Sequence, residues 1–355
     1  MLLKENIENN LNDAIRFTEE ILPSVSRTFY LAIKFLPKKL GHPVGLAYLL
    51  CRIADTYEDS LILSPSQRKD NLLKYSKLLS TPNGYDEDIL NDLKNSFVDY
   101  QQYLDISHSI DHLPNIKLVE NIDMVLTAFD SLPENYRKHI FPRVREMAEG
   151  MATYTTFAGS NEPYVYYLRD ENDWDKYCYY VAGTVGHMLT DIFSDYAGFS
   201  NNTRQRLHIL GRSFGLGLQK VNILKDAVID TKRGICFLPR TLIERYGISF
   251  PGHFKGDIAG LVSKVVEICR FHFQDSLEYI KLVPKKYLGL RMFLIVPLML
   301  AAKTLRLFTD YPHRLLDKGD LKLARDEVWK LVKWSSLYKF SNRLLLSAFE
   351  RTYPG

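Results

Sequence analysis

A chain of 355 residues, 46% hydrophobic and 25% charged, is long enough to bury one large core, so a single domain is the expectation. Its formal net charge of +4 is too near balance for a nucleic-acid protein, whose footprint is a clustered basic excess. Cys51, Cys178, Cys236 and Cys269 lie far apart with no CxxC pair, which argues against a zinc knuckle or a disulfide framework and points to a reducing compartment.

The N-terminal MLLKENIENNLND turns polar and acidic within its first residues, unlike a secretory signal. Helical spacing of apolar residues then dominates, in Gly45–Asp59, Lys176–Tyr196, Arg206–Asp230 and Ala259–Lys281. Prolines and glycines such as Pro37, Pro133, Pro239 and Pro312 separate the segments. Polar Ser80–Asp111 reads as a surface excursion. GLGLQ at Gly215–Gln219 lacks the full dinucleotide glycine pattern, and no βαβ series or internal repeat is visible. The longest apolar run, Met292 to Ala302, has 11 residues and contains Pro297, against about 20 for a membrane span. The pattern predicts an all-α chain that is cytoplasmic, and peripheral at a membrane if a greasy substrate brings it there.

Within Tyr48-Leu-Leu-Cys-Arg52-Ile-Ala-Asp55-Thr-Tyr-Glu58-Asp59, a helix stacks Asp55 and Asp59 on one face with Glu58 alongside. Hard oxygen ligands without a nearby histidine or thiolate suit Mg²⁺, which fills its shell with water and substrate phosphate. Arg52, one turn earlier, adds a cation able to hold a diphosphate oxygen. The same residues also suit a solvated helix end closed by an Arg52–Asp55 ion pair. Farther on, Asn222, Asp226 and Asp230 form a ladder at four-residue steps, with Gln219 one turn before. Apolar Val221, Ile223, Leu224, Ala227 and Val228 fill the other faces, so the polar stripe calls for partners or a metal. A solvent-facing stripe accounts for either set alone. Two sets of matching chemistry suggest carboxylates on facing helices of a bundle cavity, suited to departure of a diphosphate. The 22 tyrosines and 19 phenylalanines could line a pocket that shields a carbocation.

Ser26-Arg27-Thr28-Phe29, YLLCRIADTYED, YCYYVAGTVG from Tyr177, and GLGLQKVNILKDAVID resemble the successive signatures of the squalene/phytoene synthase family, and YCYYVAGTVG is nearer the squalene synthases. Leu294–Ala302 resembles their proline-containing helix. The resemblance runs from about 26 to 325. It implies an isoprenoid-synthase helical bundle around a central cavity. It also implies a Mg²⁺-dependent prenyl transferase that condenses two farnesyl diphosphates through a cyclopropylcarbinyl diphosphate, with NADPH as reductant. By the same resemblance Asp55, Glu58, Asp59, Asn222, Asp226 and Asp230 hold metal, Ser26, Arg27, Tyr48, Arg52, Gln219 and Lys225 contact diphosphate or substrate, and Tyr177 serves the proton-transfer step. Lys322 and Arg325 match a basic cluster linked to NADPH.

Several positions depart from the family pattern. Lys225 stands where arginine is usual, Ile229 replaces an acid, Ile235 replaces a common arginine that Lys232 and Arg233 could replace in turn, and Ala324 stands where a further cation is expected. These departures fall mainly on the reductive half-reaction, and the alternative is a phytoene or dehydrosqualene synthase, or another non-reductive enzyme that condenses or cyclises prenyl diphosphates, using no nicotinamide. His108 and His112 have the spacing of a metal pair but sit in a polar stretch, which favours the surface. His187 reads as a packed or hydrogen-bonded histidine.

Overall fold

The structure is a computed structural model that describes residues 2–60, 62–80, 84–97, 113–155, 166–232, 234–248, 255–314 and 321–355; for 2–8, 27, 28, 166, 167 and 232 the description stops at the backbone. Helices make up most of it, as the periodicity predicts. Packing divides the chain into two compact units, Met1–Thr156 and Phe157–Gly355.

The first unit is built on α2 (Lys38–Asp59), which starts after Pro37 and is buried on nearly every side through Leu46, Leu49, Leu50, Ile53 and Tyr57. A helix that is apolar all round belongs in a core. Around it pack α1 (Leu2–Ile33), α3 (Pro65–Leu78), α5 (Leu113–Glu120), α6 (Ile122–Asp130) and α7 (Glu134–Tyr154). Ser64 and Gln67 cap α3 reciprocally, with Pro65 supplying a preset first turn. Part of the polar stretch read as a surface excursion is helix: α4 (Glu87–Lys94), capped by Asp86, buries Ile89 and Leu93. Tyr75 and Tyr57 donate their hydroxyls to the carbonyls of Leu50 and Leu93 at 2.9 and 3.0 Å, which satisfies two phenols inside the core.

The second unit centres on α10 (Asn201–Lys232), against which α9 (Thr184–Ala197) and α12 (Ile258–Leu282) pack. Its first helix, α8 (Glu171–Cys178), continues into α9 through a π-helical turn, Tyr179–Gly183. Glycines set the α9–α10 spacing. A Cβ at Gly186 would collide with the carbonyl of Gly211, and one at Gly215 with the carbonyl of Ala182. Two short strands were not foreseen. β1 (Tyr166–Leu168) pairs in parallel with β2 (Ile235–Pro239), and Gly234, at φ 74°, makes the turn from α10 into β2.

After α11 (Arg240–Arg245) and α12 comes α13 (Leu288–Asp310), then α14 (Arg325–Tyr338) and α15 (Asn342–Thr352). By length and composition α13 is long and apolar enough to cross a membrane, unlike the shorter run seen in the sequence. Inside this unit, however, 72% of its most apolar window is buried. Arg291 on α13 is fully buried and donates to the carbonyls of Ile280 and Val283 at the end of α12, to that of Lys339 and to Asn342 Oδ1, at 2.6–3.0 Å. More bonds fasten the C-terminal residues: Tyr353 OH to the Val266 carbonyl, Arg306 to the Tyr353 carbonyl and Arg270 to the Pro354 carbonyl.

Candidate active site

In the first unit the candidate residues gather along α2 and the end of α1. Arg52 donates through Nε to the Tyr48 hydroxyl at 3.2 Å, and its Nη1 lies 3.5 Å from Asp55 Oδ2. Tyr48 OH donates to the Val25 carbonyl at 3.1 Å, and its ring stacks on Phe29 at 5.2 Å. These bonds hold the guanidinium fixed beside the carboxylates. Ser26 is buried and returns its hydroxyl to the Leu22 carbonyl at 2.7 Å. The side chain of Arg27 lies outside the described residues.

Burial pushes the Asp55 carboxyl up to about 6; Arg52 opposes that shift and the like charge of Asp59 adds to it. A cation would relieve both burial and repulsion. Asp59 is exposed whereas Glu58, its neighbour in sequence, is buried, with its backbone carbonyl accepting from Arg68. Burial works against the charge of Arg52, but Asp55, Tyr48 and Asp59 together hold its pKa above the ordinary value.

In the second unit α10 carries the second ladder. Asn222 is exposed, Asp226 half-buried and Asp230 buried, so one helix face runs from solvent into the interior. Lys225 Nζ donates to Asn222 Oδ1 at 3.3 Å and lies 3.2 Å from Asp226 Oδ2. It supplies positive charge beside the first two oxygen donors, at the position where the sequence departs from the family's arginine. Gln219 is half-buried one turn earlier. Among the described residues no three His, Cys, Asp or Glu side chains converge as a ready-made metal cage. Sets of one or two carboxylates fit Mg²⁺, which completes its shell with water and phosphate oxygen, rather than a metal needing an all-protein cage.

Tyr177, on α8, is buried with its ring stacked on Phe237 of β2 at 4.4 Å and 12°. The unforeseen strand is thus what supports the candidate proton-transfer residue. Lys322 and Arg325 are exposed at the start of α14. Arg233, His108 and His112 lie outside the described residues, as does the side chain of Lys232.

Sequence reasoning missed two networks. Lys220, next to Gln219 and 2% exposed, donates to Asp175 Oδ1 and shares a 2.8 Å bond with His272 Nε2, while its Nζ stands 4.9 Å over the Trp174 ring. Its signal was visible: a lysine inside the apolar run LGLQKVNIL. His187 Nδ1 bonds His208 Nδ1 at 2.8 Å, and His208 Nε2 bonds Asp191, which also receives Arg204. Burial opposes ionisation of Asp191, yet the bonds from His208 and Arg204 hold its carboxyl down at about 2. That bears out the hydrogen-bonded reading of His187. No local spacing announces His208, which lies 21 residues away.

Residues 22–327 match the family described as squalene/phytoene synthase. The chain belongs to the squalene/phytoene synthase family. Members of this family are prenyltransferase-type enzymes. It is 28% identical to the squalene synthase of Schizosaccharomyces pombe over 68% of this chain and 48% of that one. With the Botryococcus squalene synthase of Botryococcus braunii it shares 27% over 89% and 62%, and with the Homo sapiens squalene synthase 23% over 92% and 70%. The chain therefore spans only about half to two thirds of the length of the first relatives it matches. Among solved structures, TcSQS with the ligand BPH1237 superposes with a TM-score of 0.66 at 23% identity, covering 96% of this chain and 90% of that one. A dehydrosqualene synthase in complex with ligand gives 0.61 at 19%, covering 94% and 98%. These likenesses show the squalene/phytoene synthase helical fold.

Proposed function

We propose that this chain is a Mg²⁺-dependent squalene synthase, condensing two farnesyl diphosphates head to head through a cyclopropylcarbinyl diphosphate and reducing that intermediate with NADPH. The observation that carries the proposal is the pair of acidic sets, Asp55 with Asp59 on α2 and Asn222, Asp226 and Asp230 on α10, each beside a positive side chain. When bound, Mg²⁺ supplies charge that stabilises the departing diphosphate. Arg52, held by Tyr48, and Lys225 bind diphosphate oxygens, while Ser26, Arg27 and Gln219 orient the substrate. Glu58 joins the first acidic set. Tyr177, fixed against Phe237, handles the proton lost as the cyclopropane closes. Lys322 and Arg325 hold the phosphates of NADPH.

The second reading is a dehydrosqualene or phytoene synthase. It is favoured by Ile235 and Ala324, which leave the cofactor fewer cations. One assay separates the two: product analysis with farnesyl or the C20 geranylgeranyl diphosphate, with and without NADPH, with Mg²⁺ or a chelator. Squalene formed only with farnesyl diphosphate, Mg²⁺ and NADPH is the expected result. A product profile unchanged by NADPH would replace it with the second reading. A correctly folded Asp226→Asn variant should lose at least ~10²-fold in turnover, as expected for one electrostatic contributor to a transition state; full turnover would remove Asp226 from the site. The proposed location is the cytoplasm, with peripheral contact at the membrane.

A further inference from the structure

The outer face of α14 is built against the usual rule for an exposed helix. Its inner side carries buried Val332 and Ser335. The outer side exposes Trp329 (59%) and Trp334 (57%) with Leu337 and Lys330 and Lys333 between them. At 100° per residue these five positions span about 140°, with a tryptophan at either edge and Lys333, Leu337 and Lys330 inside. Phe340, in the turn after α14, and Arg343 and Leu344, in the first turn of α15, are exposed as well. Large exposed aromatics grouped on one face mark an interaction surface, whereas single ones need no explanation.

Charge selects the partner. Residues 321–355 hold seven Lys and Arg against three Asp and Glu, a net +4, which equals the formal charge of all 355 residues. Before residue 321 the two signs are therefore equal in number. Lys330 pairs with Asp326 at the N-terminal edge of the face at 2.9 Å, whereas Lys333 forms no ion pair among the described residues. Lys339 lies 5.1 Å over the Phe340 ring, an aromatic–cation contact at the same surface. Tryptophans at the edges, aliphatic and aromatic groups between and long cationic stems that reach past them match the headgroup zone of a bilayer. An excess of cations matches anionic lipid.

We propose that α14 and the first turn of α15 dock this protein in-plane on a membrane bearing anionic lipids, with Trp329, Trp334, Leu337, Phe340 and Leu344 entering the interface and Lys330, Lys333 and Arg343 meeting phosphate headgroups. The docking does not depend on which prenyl product the enzyme makes.

The tryptophan distribution gives a direct readout. The chain has three tryptophans; Trp174 is fully buried and the other two are on this face. Phosphatidylcholine vesicles containing phosphatidylglycerol should co-sediment with the full chain, shift its emission to the blue, and quench it when the lipid tails are brominated. Pure phosphatidylcholine vesicles and high salt should weaken binding at least ~10-fold. The double variant Lys330→Glu with Lys333→Glu should weaken it at least ~10-fold while diphosphate release in solution is unchanged. Trp329→Ser with Trp334→Ser should abolish co-sedimentation while circular dichroism stays that of the parent. Absence of co-sedimentation with anionic vesicles would overturn the proposal, as would undiminished binding by both folded double variants. A blue shift that grows with protein concentration alone, without lipid, would instead make this face a contact between copies.

Discussion

Lys220 is held in the interior of the second unit by three neighbours, and it fixes the state of one of them, His272. Lys220 donates to Nε2, so that nitrogen bears a lone pair, and Nδ1 lies 2.9 Å from the Ser213 hydroxyl. Burial first, and Lys220 second, push the imidazole down to about 4. The unfolded chain takes up this proton near 6.5, so stability from His272 is complete above that pH and falls as the pH drops toward 4. The loss should reach about 2 kcal/mol after allowance for partial exposure. Urea midpoints between pH 7 and 4 should show it, and His272→Gln should flatten that part of the curve. Asp191, held at about 2, loses its contribution in a lower window, from about 4 downward. At Tyr177, removing one hydroxyl leaves the stack on Phe237 intact. Tyr177→Phe should therefore retain substrate affinity and thermal midpoint while product formation drops ~10²-fold or more. An equal loss of affinity and turnover would mark the tyrosine as a packing residue.

The α9–α10 crossing depends on missing side chains rather than present ones. A methyl at Gly186 or Gly211 meets backbone and the buried Thr190 and Tyr279 side chains, which have no room to yield. Gly186→Ala and Gly211→Ala should each cost about 3 kcal/mol in urea unfolding. Gly198 has φ 65° but nothing within 4 Å, so Gly198→Ala should cost only about 1 kcal/mol. Equal effects at all three would show that backbone conformation, not close approach, limits the crossing. The helical rows of α2 and α10 were legible because a 3.6-residue period assigns each side chain to a face. Depth was not legible: Asn222 and Asp230 share a face, yet one is exposed and the other buried. The π turn hides inside an unbroken apolar pattern. β2, Ile-Cys-Phe-Leu-Pro, is buried along its whole length, so its sequence has no alternation of apolar and polar to announce a strand.

At the scale of the molecule, all four cysteines are free and buried, and burial pushes the Cys236 and Cys269 thiols up to about 12. Thiolate is the reactive form, so an aromatic disulfide reagent should label almost none in the native protein and all four in guanidinium. Rapid labelling of any one without denaturant would reveal local opening at that site. Spacing alone excluded a CxxC site, and burial adds why these thiols are inert. The acidic motifs and the family were legible along the chain, but the networks at Lys220 and His208 needed partners distant in sequence. The fastenings of the last residues to the second unit set a timetable for synthesis. Arg270 waits for Pro354, 84 residues later, and buried Arg291 waits for Lys339 and Asn342. At about 5–20 residues per second, the ribosome needs roughly 4–17 s to deliver the partner of Arg270. The first unit is complete in sequence by residue 156 and can begin to fold while the second is still being made. During that interval the half-built second unit has unsatisfied guanidinium groups and exposed apolar helices, the state in which a nascent chain most needs a chaperone.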